Sequence, residues 1–341
     1  MTAALPIGGF FGLEPAGEPL RAGSVLERWT QGSGWLGFHN ARSAVAHLIR
    51  SLAPGTVWLP RYLCADMDAA AGTSVRGYGV NLALELDDPA FETALSLGDL
   101  VVAVAYFGAP VCPRLRGLAA RRTDVTWLED RAQALDPGEG VPGAWRLHSP
   151  RKLLGVADGG VLVGPVSTLP VPQLAPAPVG HDRAARARAA ASNLEEVAKA
   201  YRLYVEVERS HTVADFALSE ATRDSLAASA VDELAARRRA NFSTLDARLA
   251  AHAAPLAGRL RDARAPFGYP LSLAGRRDAL AAALAAEGLF CAVHWRDLGQ
   301  AAAGDAVAST LRAGMLTLPV DHRYGAAEME RLVDGVRRAL A

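Results

Sequence analysis

Short apolar runs alternate with helical patterns through the first two-thirds of the chain. Four of these runs lack regular polar positions, as do strands that are covered on both faces. They are "TVWLP" (56–60), "DLVVAVAYFG" (99–108), "VTWLED" (125–130) and "GGVLVGP" (159–165). Between them, "ARSAVAHLIRSL" (41–52) places its apolar residues on one helical face, and Pro54-Gly55 follows as a stop signal. The alternation predicts an α/β domain with a largely parallel sheet.

The rest of the chain is predicted to be helical and then to form a smaller unit. Residues 166–180 hold four prolines and are expected to be irregular, whereas residues 184–251 are rich in alanine and arginine at helical spacing. The last hundred residues read as strands "FGYPLSL", "LFCAVHW" and "MLTLPV" with helices "GRRDALAAALAAEG" and "AAEMERLVDGVRRAL". We therefore expect a large domain over 1–228 and a small C-terminal α/β domain over 229–341.

Charge and cysteine content exclude several classes of protein. The 341 residues carry 36 Lys+Arg and 36 Asp+Glu, so no net field favours nucleic acid or a membrane surface. The run "ARRRA" (236–240) is expected to be a solvated helix face. The cysteines Cys64, Cys112 and Cys291 form no CxxC pair and the histidines show no ligand spacing, so neither a disulfide framework nor a metal site is expected.

The N-terminal segment and the lengths of the apolar runs bear on location. The segment "MTAALPIGGFFGLEPAGE" lacks the basic region of a signal peptide. No apolar run approaches the roughly 20 residues needed to span a bilayer. We expect a cytoplasmic protein.

Lysine is rare here, with only two among the 36 basic residues. Lys199 lies four residues after Glu195, which fits a surface ion pair on a helix. Lys152 lies instead in "LHSPRKLLGVADGG" (147–160), ahead of two glycines. A lysine can become neutral and nucleophilic, whereas an arginine stays protonated, so Lys152 is a candidate for covalent chemistry.

Asp130 ends an apolar run 22 residues before Lys152. A carboxylate and an amine at the ends of neighbouring parallel strands suit pyridoxal phosphate (PLP), because the amine can form a Schiff base while the carboxylate keeps the pyridine nitrogen protonated. From the residues alone, two other interpretations stay open. Glu129-Asp130 could cap a helix that begins near Arg131, and Lys152 could be a charge on a helix face.

Several segments carry a resemblance that covers nearly the whole chain. They are "HNARSAV" (39–45), "VWLPRYLCADM" (57–67), "LEDRAQAL" (128–135), "SPRKLLGVADGG" (149–160), "FCAVHW" (290–295) and "LTLPVDHRYGAAEMERLVDGVRRAL" (316–340). In these segments the chain resembles the DegT/DnrJ/StrS family of fold-type I PLP-dependent sugar aminotransferases, as a divergent branch.

The resemblance implies roles for five residues. Lys152 is implied to be the Schiff-base lysine and general base, and Asp130 the partner of the pyridine nitrogen. Gln133 is implied to contact the ring oxygen. Ala41 and Arg42 would offer backbone N–H groups to the cofactor phosphate at a helix N-terminus.

The chain also departs from the family pattern. Leu147 stands where a serine is usual, so Ser149, Arg151 or a partner-subunit group is expected at the phosphate. Cys64, with Tyr62 nearby, stands where an aromatic residue or histidine usually covers the ring, although Cys64 could also be a small buried hydrophobe. No "G-x-N-x-R" segment follows the lysine, and "RSHTVADFALSEATRD" (209–224) occupies its place.

His294 and Trp295 resemble the family's substrate-side pair, with core packing as the alternative interpretation. Together these matches imply a large domain with a mostly parallel seven-stranded sheet that binds PLP, a small C-terminal domain and a homodimer. They imply transfer of an amino group from an amino acid, with glutamate expected, to a keto sugar or similar carbonyl compound. The setting would be the biosynthesis of an amino sugar for a surface polysaccharide or a secondary metabolite.

Three alternatives to this function are carried forward. The first is other PLP chemistry such as sugar dehydration, which Lys152 disfavours because family dehydratases replace the lysine. The second is a non-catalytic regulator or scaffold with an aminotransferase fold. The third is an unrelated α/β protein that binds no cofactor.

Overall fold

The computed structural model describes residues 5–15, 17–72, 74–210 and 212–341. Its strands are β1 Ile7–Gly8, β2 Trp35–Phe38, β3 Val57–Pro60, β4 Val75–Tyr78, β5 Leu100–Val104, β6 Thr126–Asp130, β7 Trp145–His148, β8 Gly160–Val163, β9 Gly268–Ser272, β10 Leu289–Phe290 and β11 Met315–Pro319. Its helices are α1 Val25–Thr30, α2 Ala41–Leu52, α3 Ala65–Ala71, α4 Phe91–Ala94, α5 Pro113–Arg121, α6 Arg183–Ala190, α7 Leu194–Ser210, α8 Glu220–Ala228, α9 Val231–Leu249, α10 Leu256–Leu260, α11 Arg277–Ala286, α12 Ala306–Gly314 and α13 Ala326–Leu340.

A seven-stranded sheet in the order β2-β8-β7-β6-β5-β3-β4 forms the centre of the larger part of the molecule. Strands β4, β3, β5, β6 and β7 run parallel, and β8 is antiparallel to both of its neighbours. Every residue of β3, β5 and β8 is buried, which explains why these runs lack polar alternation. The predicted α/β fold with a mostly parallel sheet is confirmed.

This topology gathers several chain segments at one edge of the sheet. Parallel strands β3, β5, β6 and β7 all end at that edge. Because β8 runs the other way, its first residue, Gly160, lies at the same edge, beside the end of β7. Strand β2 is antiparallel to β8, so β2 also ends there and leads directly into α2.

Helix α2 has the limits that the sequence predicted. The side chain of Asn40 caps it by accepting a hydrogen bond from the backbone N–H of Ser43 at 2.9 Å. Ala53 closes it in a left-handed conformation. The proline-rich segment 166–180 contains one short 3-10 turn, Val166–Thr168, and is otherwise irregular, as expected.

The smaller unit combines both ends of the chain. Strand β9 pairs with β11 in antiparallel fashion, while β1, from the N-terminal segment, runs parallel to β10. Helices α9, α11 and α13 pack around these strands. The domain limit predicted at 228/229 falls between α8 and α9 and stays a prediction. Residues 7–8, which that prediction assigns to the large domain, pair with strand β10 of the C-terminal unit. The predicted strand "LFCAVHW" is only partly formed, since β10 ends at Phe290.

Two expectations about charge have different outcomes. Lys199 pairs with Glu195 at 2.8 Å on the surface of α7, which confirms the predicted ion pair. The expectation that "ARRRA" is a solvated face is wrong for Arg238, which is 1% exposed on the inner side of α9. Among the described residues, none of the helices has the length and apolar character to cross a membrane, and no three metal-binding side chains cluster together.

Candidate active site

Asp130 is the last residue of β6 and lies at the sheet edge where the parallel strands end. Its backbone carbonyl accepts a hydrogen bond from the Ala105 N–H at 2.9 Å, and its side chain accepts one from the Ala132 N–H at 2.8 Å. Burial raises the pKa of the Asp130 carboxyl, and the charge of Lys152 opposes this shift. No helix begins near Arg131, so the capping interpretation of Glu129-Asp130 is wrong.

Lys152 ends a 3-10 turn, Pro150–Lys152, that follows β7 directly. Its N–H donates to the Ser149 carbonyl at 3.1 Å, and the Leu153 N–H donates to the Pro150 carbonyl at 2.8 Å. The turn is too short to present Lys152 as a charge on a regular helix face, so that interpretation is wrong too. The charge of Lys152 affects the pKa values of Asp130, Cys64 and His294, so Lys152 lies close enough to interact with each of them.

The start of α2 packs against the glycines that trail Lys152. The Gly159 N–H donates to the His39 carbonyl at 2.7 Å, one residue before the Asn40 cap. A side-chain carbon at Gly160 would lie 2.5 Å from the Ala41 nitrogen, so only glycine fits this contact. Ala41 and Arg42 follow the Asn40 cap as the first two residues of α2, so they lie at the positive end of the helix dipole, which favours an anion.

The charged side chains near this helix end pair with one another. Arg42 lies 3.1 Å from Asp66 and 3.6 Å from Glu208 through its Nη2 atom. Arg151 donates to both carboxylate oxygens of Glu208, with Nη2 3.2 Å from Oε2. Ser149 is buried at the end of β7. That Ser149 or Arg151 binds the phosphate stays a prediction.

Gln133 lies one turn beyond Asp130 and is buried. Its Oε1 atom accepts a hydrogen bond from the Phe107 N–H at 3.3 Å. Because that bond engages the oxygen, the Nε2 amide is the donor end that could reach a ring oxygen of a bound cofactor.

Cys64 and Tyr62 follow β3 at the same edge of the sheet. Burial raises the pKa of the Cys64 thiol, and Lys152 opposes the shift. Tyr62 is fully buried, its hydroxyl donates to the His294 carbonyl, and its ring lies 5.2 Å from Trp295. Tyr62 therefore braces the His294-Trp295 segment, and Cys64 is the member of this pair that lies near Lys152.

His294 and Trp295 approach the site from the C-terminal unit. Burial lowers the pKa of His294 to about 3, with the charge of Lys152 as the second cause, so the ring is neutral near physiological pH. Its Nδ1 atom lies 3.2 Å from Thr317 Oγ1, and its ring meets Phe107 edge-on at 5.1 Å. These contacts form an uncharged aromatic wall beside Lys152.

No protein-family model matches the chain, and no curated protein matches it at a significant level. Solved structures do match. Helicobacter pylori PseC, an aminotransferase involved in the biosynthesis of pseudoaminic acid, is 15% identical with a TM-score of 0.69, covering 98% of this chain and 99% of that one. A DegT DnrJ EryC1 StrS aminotransferase from Brucella abortus is 13% identical with a TM-score of 0.60, covering 94% and 91%.

The putative sugar aminotransferase Spr1654 from Streptococcus pneumoniae, in its PLP form, is 17% identical with a TM-score of 0.64, covering 96% of this chain and 100% of that one. The chain has the fold of the DegT/DnrJ/EryC1/StrS aminotransferases. The resemblance drawn from the sequence is thus confirmed for the fold.

The residues present fit PLP. The cofactor carries an anionic phosphate, a basic ring nitrogen and an aldehyde that reacts with an amine. At this sheet edge the chain supplies the N-terminus of α2, a buried carboxylate and a lysine for those three groups, and Gln133 supplies an amide donor. The glycine contact at Gly160 keeps the helix end close to the lysine turn.

Sequence reasoning missed Phe107 and Phe267. Phe107 follows β5 and adopts a left-handed conformation, with φ of 54°, which is uncommon for a bulky residue and costs energy. Its N–H binds Gln133 and its ring meets His294. The centre of the Phe267 ring lies 5.7 Å from the centre of the His294 ring. The aromatic pair in "AYFG" at the end of a buried strand was the one available signal for Phe107.

Proposed function

We propose that the chain is a PLP-dependent aminotransferase that takes an amino group from an amino acid and gives it to a keto sugar or similar carbonyl compound. The observation that carries the proposal is the joint position of Lys152 and the buried Asp130, whose charges interact at the edge where the parallel strands end. Glutamate is the expected donor.

Each residue has a distinct task in this proposal. When bound, PLP supplies an electron sink that stabilises negative charge on the substrate carbon. Asp130 would bind the cationic ring nitrogen, which would add a countercharge for its buried carboxylate beside that of Lys152. The start of α2 at Ala41 and Arg42 would hold the phosphate, and Gln133 Nε2 would donate to the ring oxygen.

Lys152 Nζ would be the amine that holds PLP, and it would move the proton between carbon atoms as general base and acid. The ring of His294 is neutral, so it adds no second positive charge beside the Lys152 amine. Cys64, whose thiol feels the charge of Lys152, would lie against the ring. Trp295, Phe107 and Phe267 surround the entering substrate with apolar surface that excludes water.

The substrate class is part of the proposal. A cyclic keto sugar presents one carbonyl and one apolar ring face, and the His294-Trp295 wall offers a matching surface beside Lys152. The similar structures support this class, since one acts in the biosynthesis of pseudoaminic acid and another carries the name sugar aminotransferase. We propose an amino-sugar, surface-polysaccharide or secondary-metabolite pathway as the setting.

We further propose that the chain acts in the cytoplasm as a homodimer, in which the second subunit adds groups at the phosphate end. Light scattering during gel filtration measures the oligomer. A monomer that nevertheless binds PLP and turns over would contradict the shared site.

The deciding experiment is the visible absorption spectrum of the protein with PLP, before and after glutamate is added. Lys152→Ala is compared with Lys199→Ala, which removes the chain's other lysine from an exposed surface pair. We expect a visible band that glutamate bleaches in the unmodified protein and in Lys199→Ala, and that Lys152→Ala cannot form.

Other outcomes point elsewhere. A band that no amino acid disturbs would favour other PLP chemistry or the scaffold role. No band after incubation with PLP would contradict the proposal.

A further inference from the structure

Helix α9 carries three consecutive arginines that face different surroundings. Arg237 is exposed and Arg239 partly buried, whereas Arg238 is 1% exposed on the helix face that also buries Ala235 and Phe242. A buried guanidinium is costly unless its hydrogen bonds and charge are matched, so the position of Arg238 calls for a specific partner.

That partner is the backbone next to Lys152. Arg238 Nη2 donates to the Leu153 carbonyl at 2.7 Å, a buried, charge-assisted hydrogen bond between positions 85 residues apart. Leu153 closes the 3-10 turn of Lys152 through its own N–H bond to Pro150. Arg238 therefore fixes the orientation of the peptide group at the end of the lysine turn.

Glu14 holds the same segment two residues further on. Its backbone N–H donates to the Gly155 carbonyl at 2.8 Å, and its Oε2 accepts from the Gly155 N–H at 3.0 Å. A side-chain carbon at Gly155 would lie 2.6 Å from the Glu14 carboxyl carbon, so glycine is needed for this close approach. His322 Nε2 in turn lies 3.0 Å from Glu14 Oε1 and fixes the carboxylate.

The charges around Arg238 offset only part of the cost of burying its guanidinium. Asp321 and Glu14 favour its charged form, Arg323 opposes it, and burial, the largest effect, lowers the pKa of Arg238 to about 10. Arg238 therefore remains protonated near neutral pH. Arg238 thus joins α9 to the loop that carries the lysine, and Glu14 joins the N-terminal segment to the same loop.

We propose that Arg238 and Glu14 are positioning residues that clamp the 153–155 segment and so set the place of the Lys152 amine. This inference rests on the proposed function, because Lys152 must be the residue that reacts with PLP. The proposal gives a role in the site to Arg238 and Glu14, which were not among the site residues predicted from the sequence. Neither residue is a catalytic one, since each acts through the backbone of the lysine loop.

The test measures how fast PLP attaches to Lys152, rather than turnover. Cofactor-free protein is mixed with PLP, and both the rate at which the visible band appears and the pH midpoint of its colour change are recorded. Arg238→Met removes the charge and the donor, and Arg238→Lys keeps the charge. Arg237→Met makes the same change on the exposed face of the helix and is the matched control. The melting temperature of each variant is measured in parallel.

We expect Arg238→Met to slow band formation by about tenfold or more and to move the pH midpoint, because a misplaced reacting group loses rate steeply. Arg238→Lys should recover part of the rate, and Arg237→Met should match the unmodified protein. If Arg238→Met does not fold, Glu14→Gln, which keeps an acceptor for Gly155 but loses the charge facing His322, should give a smaller slowing.

A normal rate and midpoint in Arg238→Met, or in Glu14→Gln where the first variant does not fold, would overturn the inference even if the melting temperature falls. That result would leave the proposed function standing. The absence of a band in the unmodified protein would instead contradict the proposed function itself.

Discussion

Gly160 packs directly on the first residue of helix α2, so that a side-chain carbon at Gly160 would lie 2.5 Å from the Ala41 nitrogen. The contact also involves the backbone of Asn40, the helix cap. Neither partner can yield like a flexible side chain, since both sides of the contact are backbone. The distance between the proposed phosphate-binding helix end and the lysine loop thus depends on a glycine.

Gly160→Ala is expected to weaken PLP binding by at least about tenfold, because it pushes the N–H groups of α2 away from the phosphate. Gly258→Ala is the matched control, since a side-chain carbon there meets no atom within 4 Å. The dissociation constant is measured by fluorescence titration of the cofactor-free proteins. Equal affinity in both variants would contradict the placement of the phosphate at α2.

Asp130→Asn is expected to stabilise the cofactor-free protein and to reduce the stability that PLP adds. Burial raises the pKa of Asp130, so the folded chain disfavours the ionised carboxylate, and the cofactor-free protein loses stability as the pH rises from 3.8 through the folded pKa. An uncharged asparagine removes that cost, but it also removes the partner of the ring nitrogen.

At neutral pH, Asp130→Asn should therefore melt at a higher temperature than the unmodified protein without PLP. It should gain less from added PLP and bleach about a hundredfold more slowly with glutamate. Scanning calorimetry and stopped-flow absorption measure these effects. If the variant bound PLP and reacted with glutamate like the unmodified protein, Asp130 would not be the nitrogen partner.

The strand end at Asp130 and the limits of α2 could be predicted from local patterns, whereas the roles of the site residues came from the family resemblance. The buried run that ends at Asp130 predicts a strand end, and the limits of α2 follow from its cap and apolar spacing. Lys152 stands out because lysine is rare in an arginine-rich chain. These features depend on residues close together in the sequence.

Long-range contacts were not predictable in the same way. The spacing of "ARRRA" gives a helix, but nothing local tells which arginine faces inward to meet a carbonyl 85 residues away. The pairing of β1 with β10 joins positions near opposite ends of the chain, and two-residue strands carry no periodic signal. Phe107 was hidden because its left-handed backbone is imposed by its surroundings and not by its residue type.

Cys64 is expected to react with iodoacetamide in the cofactor-free protein and to be protected when PLP is bound. Burial raises the pKa of its thiol, so the reaction should be slow in both states, but a ring lying against Cys64 would block it further. Cys291 is the control in the same protein, because burial raises the pKa of its thiol to about 12 and it is not among the candidate cofactor residues. Mass spectrometry of time points gives both rates.

We expect PLP to slow the labelling of Cys64 by about tenfold or more while leaving that of Cys291 unchanged. Equal protection of the two cysteines would indicate general stabilisation instead of contact. No protection of either would favour the interpretation of Cys64 as a small buried hydrophobe.

His148 should make the protein sensitive to mild acid. It is fully buried, stacks on Trp29 at a centroid distance of 4.3 Å, and neither ring nitrogen has a hydrogen-bond partner among the described residues. Burial lowers the pKa of His148 well below 6.5, so below pH 6.5 the unfolded chain binds a proton that the folded chain excludes. Stability must then fall as the pH falls, by up to about 1.4 kcal/mol per pH unit for this one group.

His148→Phe keeps an aromatic ring against Trp29 and removes the titrating group. Its free energy of unfolding, measured by urea denaturation between pH 7 and pH 5, should depend less on pH than that of the unmodified protein. Some dependence will remain, because burial also lowers the pKa values of His47 and His294. His252→Phe, which replaces an exposed histidine, should leave the slope unchanged. If His148→Phe kept the full slope, His148 would have to be protonated in the folded protein, and its burial against Trp29 would need another explanation.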